Sequence, residues 1–316
     1  MRTGSLLVKS LVEKIVNRFI FQIPENLRVL KAIHKISKLE TPKIEYGHDV
    51  VVFSKDRPLQ LKALIESYQY YCEDPVKLNI IYNASDHDYQ NAYDSLFDEL
   101  KEFISLTVKD NIGFRNSLLN VFEALYQPKM YFLVDDLIFK KRFCTKDFLK
   151  FDRSYIPSLR MGTHLKKSYT QQKNQSLPIL DKINKSQYSW FYSKSELDWA
   201  YPLSVDGHIF FRDEIEIMVN ALDFKAPNSF EAKLQKFNRL YKKKIGVCEE
   251  VSIILNIPCN KVQVENENIS GDFHQRDLLQ HFYLKKIDIK SYDCFKNESC
   301  HQDVELKLLD IESCKK

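Results

Sequence analysis

The pattern of apolar and polar residues alternates regularly between residues 48 and 139. Runs rich in apolar and β-branched residues are HDVVVFS (48–54), VKLNIIYNAS (76–85), ISLTVKD (104–110) and KMYFLVDDLIF (129–139). The segments between them, LQLKALIESYQYY (59–71), DYQNAYDSLFDEL (88–100) and SLLNVFEAL (117–125), carry apolar residues at helical spacing. Four strands alternating with three helices predict an α/β fold, a mostly parallel sheet flanked by helices. Its ligand site is expected at the carboxyl ends of the strands.

Residues 1–45 follow a different, basic and amphipathic pattern. A helix is predicted over 5–23, Pro24 ends it, and a second short helix follows. The apolar positions are Leu7, Leu11, Val12, Ile15 and Phe19 in the first helix, and Leu27, Leu30 and Ile33 in the second. This extension carries nine Lys/Arg and four Asp/Glu, whereas the rest of the chain sums to −1. The pattern leaves two roles open, contact with a membrane surface and packing on the protein's own core.

Composition and missing motifs exclude several classes of protein. A nearly neutral body argues against broad electrostatic binding of nucleic acid. Seven cysteines without a CxxC pair argue against a disulfide scaffold or a Cys-rich zinc site, and reduced thiols fit a cytoplasmic protein. There is neither a GxGxxG nor a GxxxxGK[ST] motif, which excludes dinucleotide oxidoreductases and P-loop enzymes. We expect no signal peptide and no membrane-spanning helix.

The second half of the chain carries weaker signals. Residues 164–188 are polar and predict an exposed, mobile insertion beside the site. Helices are predicted near 213–222 and over 229–242, whereas 262–290 look irregular and the tail 297–316 is polar. An aromatic cluster is open to two interpretations, stacking on sugar rings or core packing. Its members are Trp190, Tyr192, Trp199 and Tyr201.

Polar residues follow each predicted strand, and Asp135-Asp136 are the most informative of them. They interrupt an apolar segment, where two charges are costly unless a cation compensates them. A divalent metal with oxygen ligands, Mg²⁺ or Mn²⁺, would do so. Taken alone, the pair also fits a strand that ends in a turn with two acids.

Four segments in this order resemble the nucleotide-sugar glycosyltransferases of the GT-A fold, especially family-2-like enzymes. They are FSKDRPLQLKALIESY, YNASD, NIGFRNSLL and LVDD. Arg57-Pro58 and the helix from Leu61 to Ser67 match the turn and helix after the family's first strand. NIGFRN is similar to an Asn-x-Gly-x-x-x-Asn element with its last Asn one place early, and Asp135-Asp136 stands for the DxD-type motif. The resemblance covers residues 48–140.

The resemblance implies a Rossmann-like GT-A sheet, a nucleotide-sugar donor and a Mn²⁺ or Mg²⁺ cofactor. The implied metal ligands are Asp136 and His301, with His274 and His208 as alternatives. The implied nucleotide-sugar-binding residues are Ser54, Asp56, Arg57, Asn83, Asp86, Asn111, Gly113, Arg115 and Asp135. Gly207 and Arg212 match a further Gly-x-x-x-x-Arg element, and Lys55, Arg115 or Arg212 could assist the departing diphosphate.

The resemblance leaves two candidates for the catalytic base, both of them carboxylates. The family's acidic residue after the Gly-x-x-x-x-Arg element corresponds to Glu231 in PNSFEAKL. The usual Glu-Asp pair is replaced here by Phe230-Glu231, so Asp206 is the rival.

The expected organisation is an extension, 1–45, and a catalytic domain, 46–316. Within that domain 46–145 form the nucleotide-binding half, and 146–316 form the acceptor-binding half and the tail. The expected activity is a metal-dependent, inverting glycosyl transfer to a glycan or lipid-linked acceptor in bacterial surface polysaccharide synthesis. The expected location is the cytoplasm, with peripheral attachment to the inner face of the membrane through 1–23. The alternatives are a nucleotidyltransferase, disfavoured because FSKDRPLQ lacks a glycine-rich loop, and a non-catalytic glycan- or partner-binding module.

Overall fold

A computed structural model of the protein describes residues 24–41, 46–258 and 275–311. The helices are α1 (24–36), α2 (Pro58–Tyr71), α3 (His87–Glu99), α4 (Phe114–Ala124), α5 (Lys146–Leu149), α6 (Arg212–Ala221), α7 (Pro227–Leu234), α8 (Asn238–Tyr241) and α9 (Gln275–Phe282). The strands of the larger sheets are β1 (His48–Lys55), β2 (Leu78–Asn83), β3 (Ile104–Lys109), β4 (Lys129–Val134), β6 (Tyr155–Gly162), β9 (Asp181–Lys182), β10 (Gln187–Phe191), β11 (Ile209–Phe211) and β12 (Ile245–Glu249). The paired short strands are β5 (Leu137–Phe139) with β13 (Ile254–Asn256), β7 (Lys167–Ser168) with β8 (Lys173–Asn174), and β14 (Lys285–Ile287) with β15 (Leu308–Asp310).

The central sheet has five strands in the order β11-β4-β1-β2-β3. The four strands from β4 to β3 are parallel, and β11 joins the edge antiparallel to β4. The predicted α/β class, with a mostly parallel sheet flanked by helices, is confirmed. Strand order reverses between β1 and β4, and ligands of open α/β sheets bind in the crevice at such a point.

Two apolar cores cover the two faces of this sheet. Alternate side chains of β1 enter opposite cores, with Val50 and Val52 on one side and Val51 and Phe53 on the other. Helices α2, α3 and α9 cover the first face, and α1, α4, α6 and α7 cover the second. Burial on both faces explains why β1 is a continuous apolar run instead of an alternating one.

The predicted fourth strand, 129–139, is two strands in different sheets. β4 ends at Val134, a turn holds Asp135 and Asp136, and β5 pairs antiparallel with β13. The prediction of one continuous strand was wrong. Neighbouring side chains of a strand point to opposite faces, so a continuous strand would have buried one of the two carboxylates in an apolar core.

A second sheet, in the order β6-β12-β10-β9, packs beside the first. The aromatic cluster belongs to its core: Trp190, Tyr192 and Trp199 are fully buried, and the two indole rings meet edge to face at 4.9 Å. Gly246 on β12 lies under the Trp190 ring, where an added Cβ would come within 2.2 Å of a ring carbon. Three of the four aromatic residues are therefore packing residues, not sugar platforms.

The predicted mobile insertion is an ordered hairpin in its first part. Strands β7 and β8 pair, and the backbone N–H groups of Lys166 and Lys167 both donate to the Glu298 carbonyl oxygen. The prediction of irregular structure over 262–290 is wrong from residue 275 onward, where α9 and β14 form; 259–274 lie outside the described residues. The hairpin and β14 are held by distant backbone partners, which leave no periodic signal in the sequence. Helix α9 was missed although Leu278, Leu279 and Phe282 form its buried side.

Helix α1 packs on the body through a face that differs from the predicted stripe. Leu27 and Leu30 are more than half exposed. The buried positions, spaced three and four residues apart, are Glu25, Val29, Ala32 and Ile36. Glu25 sets this rotation because its carboxylate binds the ammonium groups of Lys233 and Lys236. The predicted helix 5–23 lies outside the described residues, and no helix within 24–41, 46–258 or 275–311 is long and apolar enough to cross a membrane.

Candidate functional site

Three charged side chains meet in the crevice between the carboxyl ends of β1 and β4. Arg57 follows β1, and its Nη1 donates to Asp135 Oδ1 at 2.9 Å and to Asp136 Oδ2 at 2.8 Å. Because β4 ends at Val134, the two adjacent carboxylates reach the same nitrogen. This charged cluster lies at the edge where the sequence predicts a ligand site.

Backbone and amide donors fix the two carboxylates further. The Lys55 N–H donates to Asp135 Oδ2 at 2.9 Å, and Asn256 Nδ2 donates to Asp136 Oδ1 at 2.8 Å. Burial and the neighbouring Asp136 charge raise the pKa of Asp135 to about 6, although the Arg57 guanidinium acts to lower it. Asp135 and Asp136 therefore need a neighbouring cation to be ionised together.

The geometry of Asp135 and Asp136 fits a divalent metal with few protein ligands. One oxygen from each carboxylate already converges on a single cationic nitrogen, that of Arg57. Mg²⁺ is commonly held by one or two carboxylates together with substrate phosphates and water. Among the described residues no group of three or more His, Cys, Asp and Glu side chains could hold a metal ion. Any metal here would thus need oxygen ligands from phosphate or water.

A second cluster of charges lies beside the end of β4. The Gly207 N–H donates to the Phe132 carbonyl oxygen at 2.8 Å, which places Asp206 next to the last residues of β4. Asp206 Oδ2 accepts from His301 Nε2 at 3.2 Å and lies 3.4 Å from Nη1 of Arg160. His301 and Asp136, the two predicted metal ligands, therefore have different partners in the described structure.

Glu231 on α7 faces the same cluster and differs from Asp206 in proton affinity. Burial and the neighbouring Asp206 charge together raise the pKa of Glu231 to about 7. Burial also acts to raise the pKa of Asp206, but His301 and Arg160 outweigh it and hold that pKa below its ordinary value. Asp206 is thus ionised throughout the neutral range, whereas Glu231 exchanges its proton near pH 7.

Asn256 and Arg160 belong to the site although the sequence analysis did not select them. Asn256 joins the clusters, since its side chain binds Asp136 and its backbone pairs with Cys300 and Gln302 on either side of His301. Each is a polar residue inside an apolar strand, ILN in β13 and SLRM in β6. That local signal, the same one that identified Asp135-Asp136, could have found them.

Several predicted donor-binding residues line the carboxyl edge of β1 and β2. Ser54 Oγ hydrogen-bonds the Tyr93 hydroxyl at 2.7 Å, and Asp56 Oδ1 accepts from the Ser85 N–H at 2.7 Å. Asp56 adopts a left-handed backbone (φ 52°), a conformation uncommon outside glycine and typical of tight functional turns. Asn83 Nδ2 donates to the Asp110 carbonyl oxygen at 3.1 Å. These residues form one continuous edge with Arg57.

Other predicted residues have structural partners or lie elsewhere. Asp86 caps the N-terminus of α3 and pairs with Arg276. The Arg115 guanidinium donates to the Leu222 carbonyl oxygen at the end of α6, so it binds a helix terminus instead of the acidic cluster. Asn111 and Gly113 lie in the exposed turn before α4, where Gly113 has φ 89°.

Arg212 and the alternative histidines are also placed away from the acidic pair. Phe211 pairs with Lys129, so Arg212 lies at the amino end of β4, roughly 20 Å from Asp135 at about 3.3 Å per residue. The suggestion that Arg212 assists a diphosphate at this crevice was therefore wrong. His208 is buried with its Nδ1 against the Pro202 carbonyl oxygen, and His274 lies outside the described residues.

The sequence is similar to that of a glycosyltransferase. The bifunctional glycosyltransferase pgtA of Dictyostelium discoideum is 22% identical over 216 residues, which cover 59% of this chain. The chain spans only 28% of the length of that relative. No protein-family model matches the chain.

Three solved structures align with this protein at low TM-scores. A Pyrobaculum calidifontis mannosyltransferase, in complex with GDP-mannose and Mn²⁺, aligns with a TM-score of 0.28, 14% identity, and 43% of this chain against 42% of that one. A Methanothermobacter nucleotidyl transferase aligns with a TM-score of 0.39 and 10% identity, over 76% of this chain and 99% of the transferase. A UDP-glucose pyrophosphorylase in complex with UDP-glucose aligns with a TM-score of 0.34 and 9% identity, over 65% of this chain and 90% of the pyrophosphorylase. No score here reaches 0.5, and these alignments carry no argument about function.

Proposed function

We propose that the protein is a metal-dependent, inverting glycosyltransferase of the GT-A kind that uses a nucleotide-sugar donor. The observation that carries the proposal is the pair Asp135-Asp136, which converges on one cationic position in the crevice between β1 and β4. The sequence similarity to a glycosyltransferase supports it. The acceptor class that fits the sequence is a glycan or lipid-linked sugar, with surface polysaccharide synthesis as the setting.

Each cluster has a separate task in this proposal. Asp135 and Asp136 would hold Mn²⁺ or Mg²⁺, which neutralises the charge of the departing diphosphate when bound. Ser54, Asp56 and Asn83 lie along the edge that would receive the nucleoside. Arg57 sits against both carboxylates and would turn toward the phosphates as the cation binds.

Glu231 is the proposed general base. The acceptor hydroxyl oxygen forms a bond to the anomeric carbon while the bond from that carbon to the diphosphate oxygen breaks. The hydroxyl proton passes to the Glu231 carboxylate, and the nucleoside diphosphate leaves. Asp206, ionised and held by Arg160 and His301, keeps the proton affinity of Glu231 high.

Calorimetric titration of nucleotides tests the metal assignment. Wild-type protein is titrated with UDP, GDP, CMP and dTDP, each with and without Mn²⁺. We expect one nucleotide to bind in a Mn²⁺-dependent manner. Asp136→Asn should weaken that binding by about tenfold or more, because one of two carboxylate ligands is lost.

A matched variant separates the site from general charge loss. Asp98 is an acid on α3 whose side chain is 86% exposed, and Asp98→Asn should bind like wild type. If Asp136→Asn binds the nucleotide with the same Mn²⁺-dependent affinity as wild type, the metal assignment is wrong. Release of pyrophosphate from a nucleoside triphosphate and a sugar phosphate would instead indicate a nucleotidyltransferase.

A further inference from the structure

A groove of about 480 Å³ opens beside the second charged cluster. Its walls are the β7–β8 hairpin and the segment 298–303. This volume lies within the range of small-molecule sites, about 300–1,000 Å³. His301 lines the groove, and the same side chain binds Asp206, so one residue separates the groove from the Asp206 carboxylate.

The two walls are joined by hydrogen bonds and form a preorganised groove. The Tyr169 N–H donates to Ser299 Oγ at 2.9 Å, and Lys167 pairs with Glu298 across the groove. Ser168 Oγ donates to Asp198, which faces Arg160 at 3.9 Å. A ligand would therefore bind without the ordering cost of a flexible loop.

The lining of the groove is balanced in charge, and every lining residue carries a hydrogen-bonding side chain. The two lysines, Lys167 and Lys173, are matched by Glu298 and Asp303. A diphosphate or other anion requires an excess of positive charge, which this lining lacks. Amide, hydroxyl and carboxylate groups with one aromatic ring, that of Tyr169, suit the hydroxyl and C–H groups of an uncharged sugar.

We infer that this groove binds the uncharged, hydroxyl-rich part of a sugar acceptor and presents one hydroxyl toward the Asp206–Glu231 carboxylates. The inference rests on the proposed glycosyltransferase function, since it assigns the acceptor end of that site. It places donor and acceptor on opposite sides of Asn256, with the nucleotide at β1 and β4 and the acceptor at the hairpin. It also makes the hairpin the part of the chain that selects the acceptor.

Saturation-transfer NMR on the full chain tests the groove. The probes are the methyl glycosides of glucose, galactose, mannose and N-acetylglucosamine, with inorganic phosphate as the anionic comparison. Asn174 is exposed in the groove wall, and Asn174→Trp should fill the groove and weaken glycoside binding by about tenfold or more. Gln171→Trp is the matched control, because Gln171 is exposed on the same hairpin but does not line the groove.

Mn²⁺-dependent nucleotide binding, measured on the same samples, is the second readout. The inference predicts that both variants retain it, which shows that they are folded. Absence of glycoside signals in the wild type, binding of phosphate alone, or wild-type glycoside binding in Asn174→Trp would overturn the inference. Glycoside binding that follows the expected pattern without any Mn²⁺-dependent nucleotide binding would support the groove and overturn the proposed enzyme.

Discussion

Two neighbouring carboxylates, Asp206 and Glu231, acquire opposite proton affinities from their surroundings. Asp206 lies against His301 and Arg160, which stabilise its charge, whereas Glu231 accepts the Val205 N–H at 3.3 Å and faces the Asp206 charge. Pairs of titratable groups whose environments separate their pKa values are typical of acid–base sites. The contrast favours Glu231 as the base and Asp206 as the charge that tunes it.

The pH dependence of turnover distinguishes these roles. With a pKa of about 7, Glu231 is protonated and inactive at low pH, so kcat/KM should rise as the pH increases through 7. Glu231→Gln should reduce kcat by roughly 100-fold or more and abolish this rising limb, while donor binding persists. Asp206→Asn should move the limb to lower pH, because removal of the Asp206 charge lowers the pKa of Glu231.

The measurement is the pH profile of kcat/KM for wild type and both variants, with donor affinity measured in parallel. Loss of the rising limb in Asp206→Asn, together with near-normal activity in Glu231→Gln, would exchange the two roles.

At the scale of single residues, the sequence was informative where charge interrupts an apolar run. Asp135-Asp136 met that criterion and lie in the crevice, together with Arg57. Asp86 and Arg115 could not be judged from sequence, because their partners, Arg276 and the end of α6, are more than 100 residues away. Long-range partners decide whether a polar residue caps a helix or faces a ligand.

At the scale of elements, the alternating half of the chain was predictable, and so were helix α6, predicted near 213–222, and helices α7 and α8, predicted as one helix over 229–242. The strands of the second half were not. Strands buried on both faces are apolar runs, so β1, β2 and β4 were found from their composition. The short polar strands β7 and β8 carry no such pattern, and backbone hydrogen bonds from Lys166 and Lys167 to the distant Glu298 hold their hairpin in place. The turn that breaks 129–139 was missed because apolar residues flank it on both sides.

Helix α1 provides a prediction about docking through a buried carboxylate. Burial opposes the charge of Glu25, but hydrogen bonds from Lys233 and Lys236 outweigh it and lower its pKa to about 2, from 4.5. Such a group stabilises the fold at pH values above about 4.5, and this contribution is lost as the pH falls toward 2. Glu25→Gln should therefore lower the free energy of unfolding by about 2 kcal/mol at pH 7 and by less at pH 3.

Urea unfolding at pH 7 and pH 3 measures the effect, with Glu40→Gln as the control, because Glu40 is exposed at the end of the same segment. An equal loss at both pH values would show that the ion pairs do not contribute, and no loss would show that α1 docks through its apolar face alone.

At the scale of the whole molecule, the two larger sheets meet where β6 contacts β11, and the candidate site lies beside this junction, near the paired strands β5 and β13. The first sheet supplies Arg57, Asp135 and Asp136, and the second half of the chain supplies Asp206, Glu231 and His301. The parallel arrangement of the first four strands followed from their alternation with helices, whereas their order in the sheet was not predicted. The second sheet mixes parallel and antiparallel pairs of segments far apart in sequence, and no periodicity indicates such an arrangement.

The charge distribution of the whole chain predicts salt-dependent contact with an anionic membrane. Residues 1–45 carry the basic excess, while the remainder sums to −1. Two of these basic residues, Lys31 and Lys35, lie on the exposed side of α1. Each basic residue near an anionic surface contributes about 1 kcal/mol, and this attraction is screened by salt. The full chain should therefore bind phosphatidylglycerol vesicles at low salt and bind them less at high salt. It should not bind phosphatidylcholine vesicles.

Vesicle sedimentation of two variants locates the contact within this basic region. A chain that starts at Pro24 keeps the Glu25 ion pairs and the buried face of α1, so it should stay folded by circular dichroism. It should nevertheless lose most vesicle binding, because the amphipathic pattern of 5–23 supplies both apolar insertion and charge. The double variant Lys31→Glu, Lys35→Glu changes the charge on α1 alone, so it should lose less vesicle binding than the shortened chain. If the shortened chain binds vesicles as well as the full chain does, the contact belongs to α1 and the body. If the full chain binds strongly to phosphatidylcholine vesicles, charge does not cause the binding.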